Sequence, residues 1–174
     1  MPAPGIMSSE NPNWRTPSEL FDPLHDEFRF DLDAAADPTA TLLPRYLGPG
    51  SELGENALAR RDWGEVGSSV WLNPPYSRKL RLALEPWLAH AARQRVIVVA
   101  LIPARTDTLW WHNIVLPTAA EIRFINGRVD FIHPETGLPG TSGGSFPSAL
   151  VIWEPRRSRT PRLPLVVPWA YRSR

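Results

Sequence analysis

The chain has 174 residues, enough for one domain with a hydrophobic core. Its 43% hydrophobic and 21% charged residues are typical of a globular protein. It contains no cysteine, which excludes both a disulfide framework and a thiolate metal site. Its four histidines lack the close spacing of metal ligands, and no apolar stretch is long enough to span a membrane. We therefore expect a cytoplasmic protein without a metal site, either a monomer or a homodimer.

The net charge of +1 is unevenly distributed along the chain. All 18 acidic residues lie at or before Glu154, whereas six of the 19 basic residues follow it. Residues 1–155 therefore have a net charge of −5 and the remainder has +6. A basic tail is typical of proteins that bind a polyanion, although a solvated, disordered end is the alternative. We divide the chain into a disordered N-terminus (1–13), one folded domain (14–155) and a basic Pro/Arg-rich tail (156–174).

The first part of the domain predicts a helix followed by a strand. Thr16 is a suitable helix N-cap and Pro17 a suitable first helical residue. An alternating pattern over 28–33 predicts a strand that ends at Asp33, and the prolines and glycines of 38–68 predict a long loop containing a short helix. An amphipathic stripe at helical spacing supports the helix: Leu20, Phe21, Leu24 and Phe28.

The middle of the chain predicts two buried strands with a helix between them. The apolar run 69–72 reads as a strand, and the prolines that follow it end that strand. A helix is predicted over 79–93, with Pro86 either kinking it or opening a second helix. The β-branched run 95–103 is typical of a central parallel strand covered on both faces.

The last third of the domain predicts a helix and three strands. The helix covers 106–115 and is followed by a strand over 120–124, a tight turn at Asn126-Gly127 and a return strand over 128–132. The final strand covers 147–153. Together these elements predict an α/β fold whose sheet is mostly parallel with an antiparallel C-terminal end.

The segment Asn73-Pro74-Pro75-Tyr76 follows the strand at 69–72, at the carboxyl edge where open α/β sheets bind ligands. It resembles the catalytic motif of methyltransferases that modify an exocyclic or amide nitrogen with S-adenosylmethionine. The Asn73 side-chain oxygen and the Pro74 carbonyl would accept the two N–H groups of a planar amino group and aim its lone pair at the methyl donor. Pro75 stiffens the turn, and Tyr76 offers a face on which a base can stack. The alternative is an edge turn with Tyr76 in the core.

Six segments in order, spanning about 14–153, resemble the small, phage-type DNA N6-adenine methyltransferases. The resemblance implies a Rossmann-like S-adenosylmethionine-dependent methyltransferase fold, S-adenosylmethionine as cofactor and an adenine in DNA as target. It assigns residues 14–155 to a methyltransferase domain. The segments are Trp14-Arg15-Thr16-Pro17, Phe30-Asp31-Leu32-Asp33-Ala34-Ala35, Trp71-Leu72-Asn73-Pro74-Pro75-Tyr76, Leu101-Ile102-Pro103-Ala104-Arg105-Thr106-Asp107-Thr108, Arg123-Phe124-Ile125-Asn126-Gly127-Arg128-Val129-Asp130-Phe131 and Phe146-Pro147-Ser148-Ala149-Leu150-Val151.

The same resemblance places one group of residues beside the cofactor. Asp33 would accept a hydrogen bond from the methionine ammonium group, although a helix N-cap is the alternative for this residue. The turn after it has no Gly-x-Gly pattern, which departs from the familiar cofactor loop. The full set of expected cofactor residues is Trp14, Thr16, Pro17, Asp33, Ala34, Ala35 and Asp62. For Trp14, Thr16 and Pro17 the alternative is a helix cap with a core Trp, and for Asp62 it is a solvated loop residue.

A second group is expected to contact DNA or the target base: Arg105, Arg128, Phe131 and Ser148. Arg128 would hold a phosphate and Phe131 would be a second wall for a flipped base, while purely structural roles are the alternative. We therefore predict methyl transfer from S-adenosylmethionine to adenine N6 in DNA, with the base extruded from the duplex. The alternatives are another planar NH₂ target, namely cytosine N4 or a protein glutamine, or a non-catalytic DNA-binding protein on the same fold.

Overall fold

One six-stranded sheet organises the protein. The computed structural model describes residues 14–75, 84–133, 136–139, 146–155 and 163–170. In the order β1-β2-β3-β5-β4-β6, only β5 runs against its neighbours; the other pairs are parallel. The fold is therefore a mixed α/β sheet, and its antiparallel strand lies between β3 and β4. The strands are β1 (Leu32–Asp33), β2 (Ser69–Leu72), β3 (Ile97–Pro103), β4 (Glu121–Asn126), β5 (Ser148–Trp153) and β6 (Leu165–Ala170).

Helices cover both faces of this sheet. Helix α1 (Ser18–Phe28) buries its apolar stripe on one face, called here the α1 face. Helix α2 (Leu84–Ala91) and a π-helix (Trp111–Val115), which continues into α3 (Leu116–Thr118), pack on the opposite α2 face. None of the helices in the described parts of the chain is long and apolar enough to cross a membrane.

The strands alternate strictly between these two cores. In β3, Val98, Ala100 and Ile102 lie on the α2 face, whereas Val99 and Leu101 lie on the α1 face. Burial on both sides is the reason for its continuous apolar sequence. As predicted, β3 is a central strand, but it is parallel only to β2 and antiparallel to β5. The strands predicted at 69–72 and 147–153 are confirmed as β2 and β5.

The beginning of the domain differs from the prediction in where its helix ends and its strand begins. The helix extends to Phe28, and Arg29 ends it in the left-handed conformation with φ 52°. Only Leu32–Asp33 pairs as a strand, so the alternation over 28–33 overstated its length. Thr16 does not cap the helix: Pro17 occupies the N-cap position, and no side chain caps it.

The predicted return strand over 128–132 is wrong. Strand β4 pairs with β5 and β6, and Ile132 forms only isolated bridges, with Arg15 and with Pro139. Val129 and Phe131 instead bury their side chains in the core of the α1 face. The turn at Gly127 is present, with φ 95°. The predicted helix over 79–93 is described only from Leu84, and Pro86 is the third residue of this described part.

Part of the segment assigned to a basic tail belongs to the sheet. Residues 165–170 form β6, which pairs with β4 along its whole length. The Leu165 N–H donates to the Ala120 carbonyl on the β4 side. Backbone nitrogens alternate in direction along a strand, so the nitrogen of Pro168, three residues later, points away from β4. A proline is tolerated in this edge position because it has no ladder hydrogen bond to lose there.

Candidate active site

The predicted site residues follow strands that end at one edge of the sheet, called here the carboxyl edge. Asp33 ends β1, Asn73 follows β2, and Ser148 begins the antiparallel β5 opposite Pro103. Their neighbours Leu32, Leu72 and Ala149 lie on the α2 face, so these three side chains alternate onto the α1 face. Asp33 is level with Trp71 on the neighbouring strand, about 5 Å away, and Asn73 follows two residues further along the chain from Trp71.

Asn73 has one end of its amide bonded and the other end available. Its Nδ2 group donates to Thr16 Oγ1 at 3.1 Å. Its Oδ1 atom is buried and has no hydrogen-bond partner among the described residues. A buried acceptor without a partner costs free energy in the free protein, so its presence calls for an explanation. A ligand that donates an N–H group would satisfy it.

Residues 14–17 form a short strap across this edge. Arg15 exchanges two backbone hydrogen bonds with Ile132, at 3.0 and 2.9 Å, and the Trp14 ring packs edge-on against His133 at 5.1 Å. Thr16 is buried, and Pro17, also buried, starts α1. The strap therefore joins the segment after β4 to the turn after β2.

Asp33 is buried, with 4% of its surface exposed. Its carboxylate accepts the N–H groups of Ala35 and Leu42, each at 3.3 Å. Burial raises the pKa of Asp33 to about 6; those two hydrogen bonds act in the opposite direction, and the nearby negative charge of Asp37 adds to the rise. No helix follows Asp33 directly, so it is not a helix cap. A cation placed against it would favour its ionised form.

The segment 45–48, whose role the sequence left open, holds Asp33 from the side away from β2. The Asp33 N–H donates to the Arg45 carbonyl at 3.0 Å, and the Leu47 N–H donates to the Asp33 carbonyl at 2.8 Å. Ala34 in turn donates its N–H to Trp71 on β2. The turn after β1 is therefore fixed by backbone pairs on both sides, which substitutes for a glycine-rich loop. The sequence predicted only a long loop with a short helix over 38–68 and did not indicate this pairing.

Further along the edge, Ser148 and two aromatic rings line the α1 face. Ser148 is buried, and its Oγ atom has no partner within the described residues. The rings of Phe131 and Phe146 lie 6.4 Å apart, and both pack against the core on this face. Phe146 was not among the predicted site residues, although Ser148, two residues later, was.

The two predicted arginines flank the same edge. Arg105 follows β3 and is partly buried, and its carbonyl accepts from both the backbone N–H and the hydroxyl group of Thr108. Arg128 follows the turn after β4 and is exposed. Their placement at the strand ends is compatible with contact to a polyanion that covers the edge.

Asp62 is not brought together with the other residues. It is exposed and accepts the Gly64 N–H at 2.8 Å, which caps the short 3₁₀ helix Trp63–Glu65. That helix packs beside Val96 and Gln94, just before β3 begins, so it lies at the opposite, amino edge. Tyr76 lies outside the described residues, while Pro74 is buried and Pro75 partly buried beside Asn73. Within the described ranges, no group of His, Asp or Glu side chains is placed to hold a metal ion.

Taken together, the edge offers a free amide oxygen backed by two prolines, a buried carboxylate and a pair of aromatic rings. Such a site can accept hydrogen bonds from a planar amino group next to a cationic ligand. The α/β sheet and this site define a protein of the amino-group methyltransferase class.

Comparison with known proteins identifies the family. The family model of DNA N-6-adenine-methyltransferase (Dam) matches residues 5–169. A DNA N-6-adenine-methyltransferase of Haemophilus phage HP1 (strain HP1c1) is 32% identical over 155 residues, covering 85% of this chain and 82% of the relative. A DNA N-6-adenine-methyltransferase of Escherichia phage T1 is 31% identical over 153 residues, covering 76% of this chain and 59% of the relative. The chain belongs to the DNA N-6-adenine-methyltransferase family.

Proposed function

We propose that this chain transfers the methyl group of S-adenosylmethionine to the N6 amino group of an adenine extruded from DNA, and that Asn73 and Pro74 hold that amino group. The family defines the reaction as adenine N6 methylation of DNA. The methyl donor, the extrusion of the base and the roles of individual residues are our proposals. They concern the residues of the carboxyl edge described above.

The observation that carries the proposal is the free Oδ1 atom of Asn73, which is buried and has no described partner. Adenine N6 has two N–H groups, and its lone pair is delocalised into the ring. Two acceptors, Asn73 Oδ1 and the Pro74 carbonyl, would hold both N–H groups and release the lone pair from the ring. Positive charge develops on this nitrogen during transfer, so both hydrogen bonds strengthen in the transition state, which lowers the barrier.

The residues at the end of β1 fit the methyl donor. S-adenosylmethionine supplies an electrophilic methyl group and carries a methionine ammonium group. The buried Asp33 carboxyl has a raised pKa of about 6 and, among the described residues, accepts two long backbone hydrogen bonds, at 3.3 Å, so it has capacity for a cation. Ala34 and Ala35 complete this turn, and the strap residues Trp14 and Pro17 would close over it.

The remaining residues suit an extruded base and its backbone. Phe131, whose ring lies in the core of the α1 face, would be one wall for the base and Tyr76 the other, and stacking of this kind is worth about 1–3 kcal/mol per base. The unpartnered Ser148 hydroxyl is a candidate hydrogen-bond partner for the base edge. Arg105 and Arg128 would contact phosphates beside it. Extrusion is required because a duplex shields the N6 atom from the donor.

The proposal is tested by the variant Asn73→Ala. We expect methyl transfer to fall by at least about 10²–10³-fold, by analogy with the loss of a preorganised hydrogen-bonding group, while S-adenosylmethionine affinity stays within about twofold. Transfer is measured by nucleoside analysis of DNA, RNA and protein acceptors incubated with labelled donor. Label found in N4-methylcytosine or in methylglutamine, or near-normal turnover by the variant, would contradict the proposal.

A further inference from the structure

Thr16 lies 57 positions before Asn73 in sequence, yet its hydroxyl oxygen accepts the Asn73 Nδ2 group at 3.1 Å. The sequence suggested two other roles for this residue, a helix N-cap and a cofactor contact. The helix has Pro17 at its N-cap position and no side-chain cap, so the Thr16 hydroxyl is not used there. It is directed instead at the amide of Asn73.

The orientation of that amide decides whether Asn73 can accept a hydrogen bond from a substrate amino group. With Nδ2 bonded to Thr16, the Oδ1 atom is presented to the site. A rotated amide would present its NH₂ group to the NH₂ group of the target, and two donors would then meet without an acceptor. A partner that holds the amide plane in one orientation therefore supports every turnover.

Thr16 is itself held in place from both sides. Its neighbour Arg15 is fixed to Ile132 by two backbone hydrogen bonds, and the next residue, Pro17, starts α1, whose Leu20, Phe21 and Leu24 are buried in the core. Only 5% of the Thr16 surface is exposed, so water competes little for its hydroxyl group. A partner that is rigid and dry orients a neighbouring group more effectively than a mobile, solvated one.

We propose that Thr16 is a positioning residue that fixes the Asn73 side-chain amide, through its Nδ2 group, in the orientation that presents Oδ1 to the target amino group. This inference rests on the proposed function. It assigns to the strap 14–17 a role in the methyl-transfer step, separate from any contact with the methyl donor.

The test compares Thr16→Val, which keeps the shape but removes the hydroxyl, with Thr16→Ser, which restores it. We expect Thr16→Val to lower kcat by about 10–100-fold, the usual effect of losing a group that orients a functional residue. Thr16→Ser should recover activity to within about threefold, and S-adenosylmethionine affinity by calorimetry should change by less than about threefold in both. The control Thr118→Val removes a partly buried hydroxyl near the opposite edge and should leave kcat unchanged.

A Thr16→Val enzyme with wild-type kcat would overturn the proposal. So would a variant whose kcat is unchanged and whose donor affinity falls, because that result would return Thr16 to a cofactor role. Absence of N6-methyladenine with the wild-type protein in the same assay would instead contradict the proposed function itself.

A measurement on the wild-type protein decides the matter even if Thr16→Val fails to fold. The Asn73 side-chain amide signal is identified in the NMR spectrum by its loss in Asn73→Ala. We expect one Nδ2 proton to exchange with water about tenfold more slowly than those of the exposed Asn126, since a partly buried hydrogen bond protects it. Exchange at the rate of Asn126 would show that the bond is absent and would overturn the proposal.

Discussion

At the scale of single residues, Asp33 is held in conditions that favour its neutral form. Burial raises the pKa of its carboxyl to about 6 from the ordinary 3.8. Its ionisation therefore destabilises the folded protein as the pH rises from about 4 through about 6. A bound ammonium group has the opposite effect on Asp33, because it stabilises the ionised carboxylate. Cation binding and proton binding at Asp33 are therefore competitive.

We predict that S-adenosylmethionine binds more tightly as the pH rises through about 6 and that its affinity levels off near pH 7. Asp33→Asn should weaken binding at pH 7 and remove this pH dependence, since an amide neither titrates nor pairs with a cation. Calorimetry between pH 5 and 7 at constant ionic strength, without DNA, measures both effects (the range is set by the pKa of about 6).

Asp37→Asn is the matched control for this titration. The charge of Asp37 contributes to the raised pKa of Asp33, so its removal should shift the midpoint slightly downward and leave the dependence in place. An Asp33→Asn protein that still gains affinity over the same pH range would show that another group binds the donor.

At the scale of elements, the segment 45–48 is built to lie unusually close to the turn after β1. A Cβ atom on Gly48 would come within 1.8 Å of the Ala36 carbonyl oxygen, and the residue has φ 154°. The Ala36 N–H donates to the Leu47 carbonyl in the same place. Only glycine permits this approach, which keeps Arg45 and Leu47 paired with Asp33.

We predict that Gly48→Ala lowers the melting temperature and weakens S-adenosylmethionine binding. The clash must push 45–48 away from β1, at a cost of about 1–3 kcal/mol. Gly137→Ala is the control, because that glycine also has a positive φ, 66°, but open space around it. Circular dichroism and calorimetry of both variants check this. Equal donor affinity in the two would mean that the segment does not support the site.

The sequence predicted the elements that are specified by residues adjacent to one another in the chain. The runs that became β2, β3 and β5 are continuous and apolar because both faces of the sheet are covered. Since prolines mark the end of β2, Asn73 could be placed at the carboxyl edge, whereas Asp33 and Ser148 were assigned to the site by the family resemblance. Strand β6 was missed because Pro168 and the surrounding arginines obscure its pattern, and only the sheet reveals that Pro168 faces outward.

Contacts between distant segments could not be predicted in this way. The Thr16–Asn73 bond joins residues 57 positions apart, and the pairing of 45–47 with Asp33 depends on how a long loop folds back. Asp62 was misplaced for the same reason. A short 3₁₀ helix separates it from β2, and its position at the amino edge follows from the packing of that helix beside Gln94 and Val96.

At the scale of the whole molecule, the direction of β6 separates the C-terminal arginines into two groups. Trp153 ends β5 near the amino edge, and Leu165 begins β6 there, level with Glu121. Ala170 ends β6 level with Asn126, at the carboxyl edge. Arg156 and Arg157 therefore follow a strand that ends at the amino edge. The length of the six-residue strand β4 puts this edge about 20 Å from the carboxyl edge. Arg172 and Arg174 follow one that ends at the carboxyl edge, four strands away from β2 in the sheet.

We predict that the double variant Arg172→Ser/Arg174→Ser weakens DNA binding for all sequences alike. Each lost phosphate contact should reduce the log–log salt slope by about 0.9. Arg156→Ser/Arg157→Ser removes the same charge and should have a smaller effect. Fluorescence anisotropy at several salt concentrations compares the two pairs. Deletion after Pro155 would be a poor test, because it also removes β6 from the sheet.

If both pairs change the salt slope equally, the position of an arginine along the chain does not decide its contact with DNA. If neither pair changes the slope, the positive surface that binds DNA must come from the arginines at the carboxyl edge, such as Arg105 and Arg128.

The polarity of β6 also has a practical consequence for anyone who attaches something to this protein. Trp14, packed on His133, and Ala170, beside Asn126, are the first and last described residues, and both lie at the carboxyl edge. A tag or surface linker on either end is therefore joined to the folded protein at the edge that holds the candidate site. The exposed Arg95, just before β3, lies at the opposite edge. Because the chain has no cysteine of its own, Arg95→Cys would provide a single attachment point for a dye or support that leaves the carboxyl edge open.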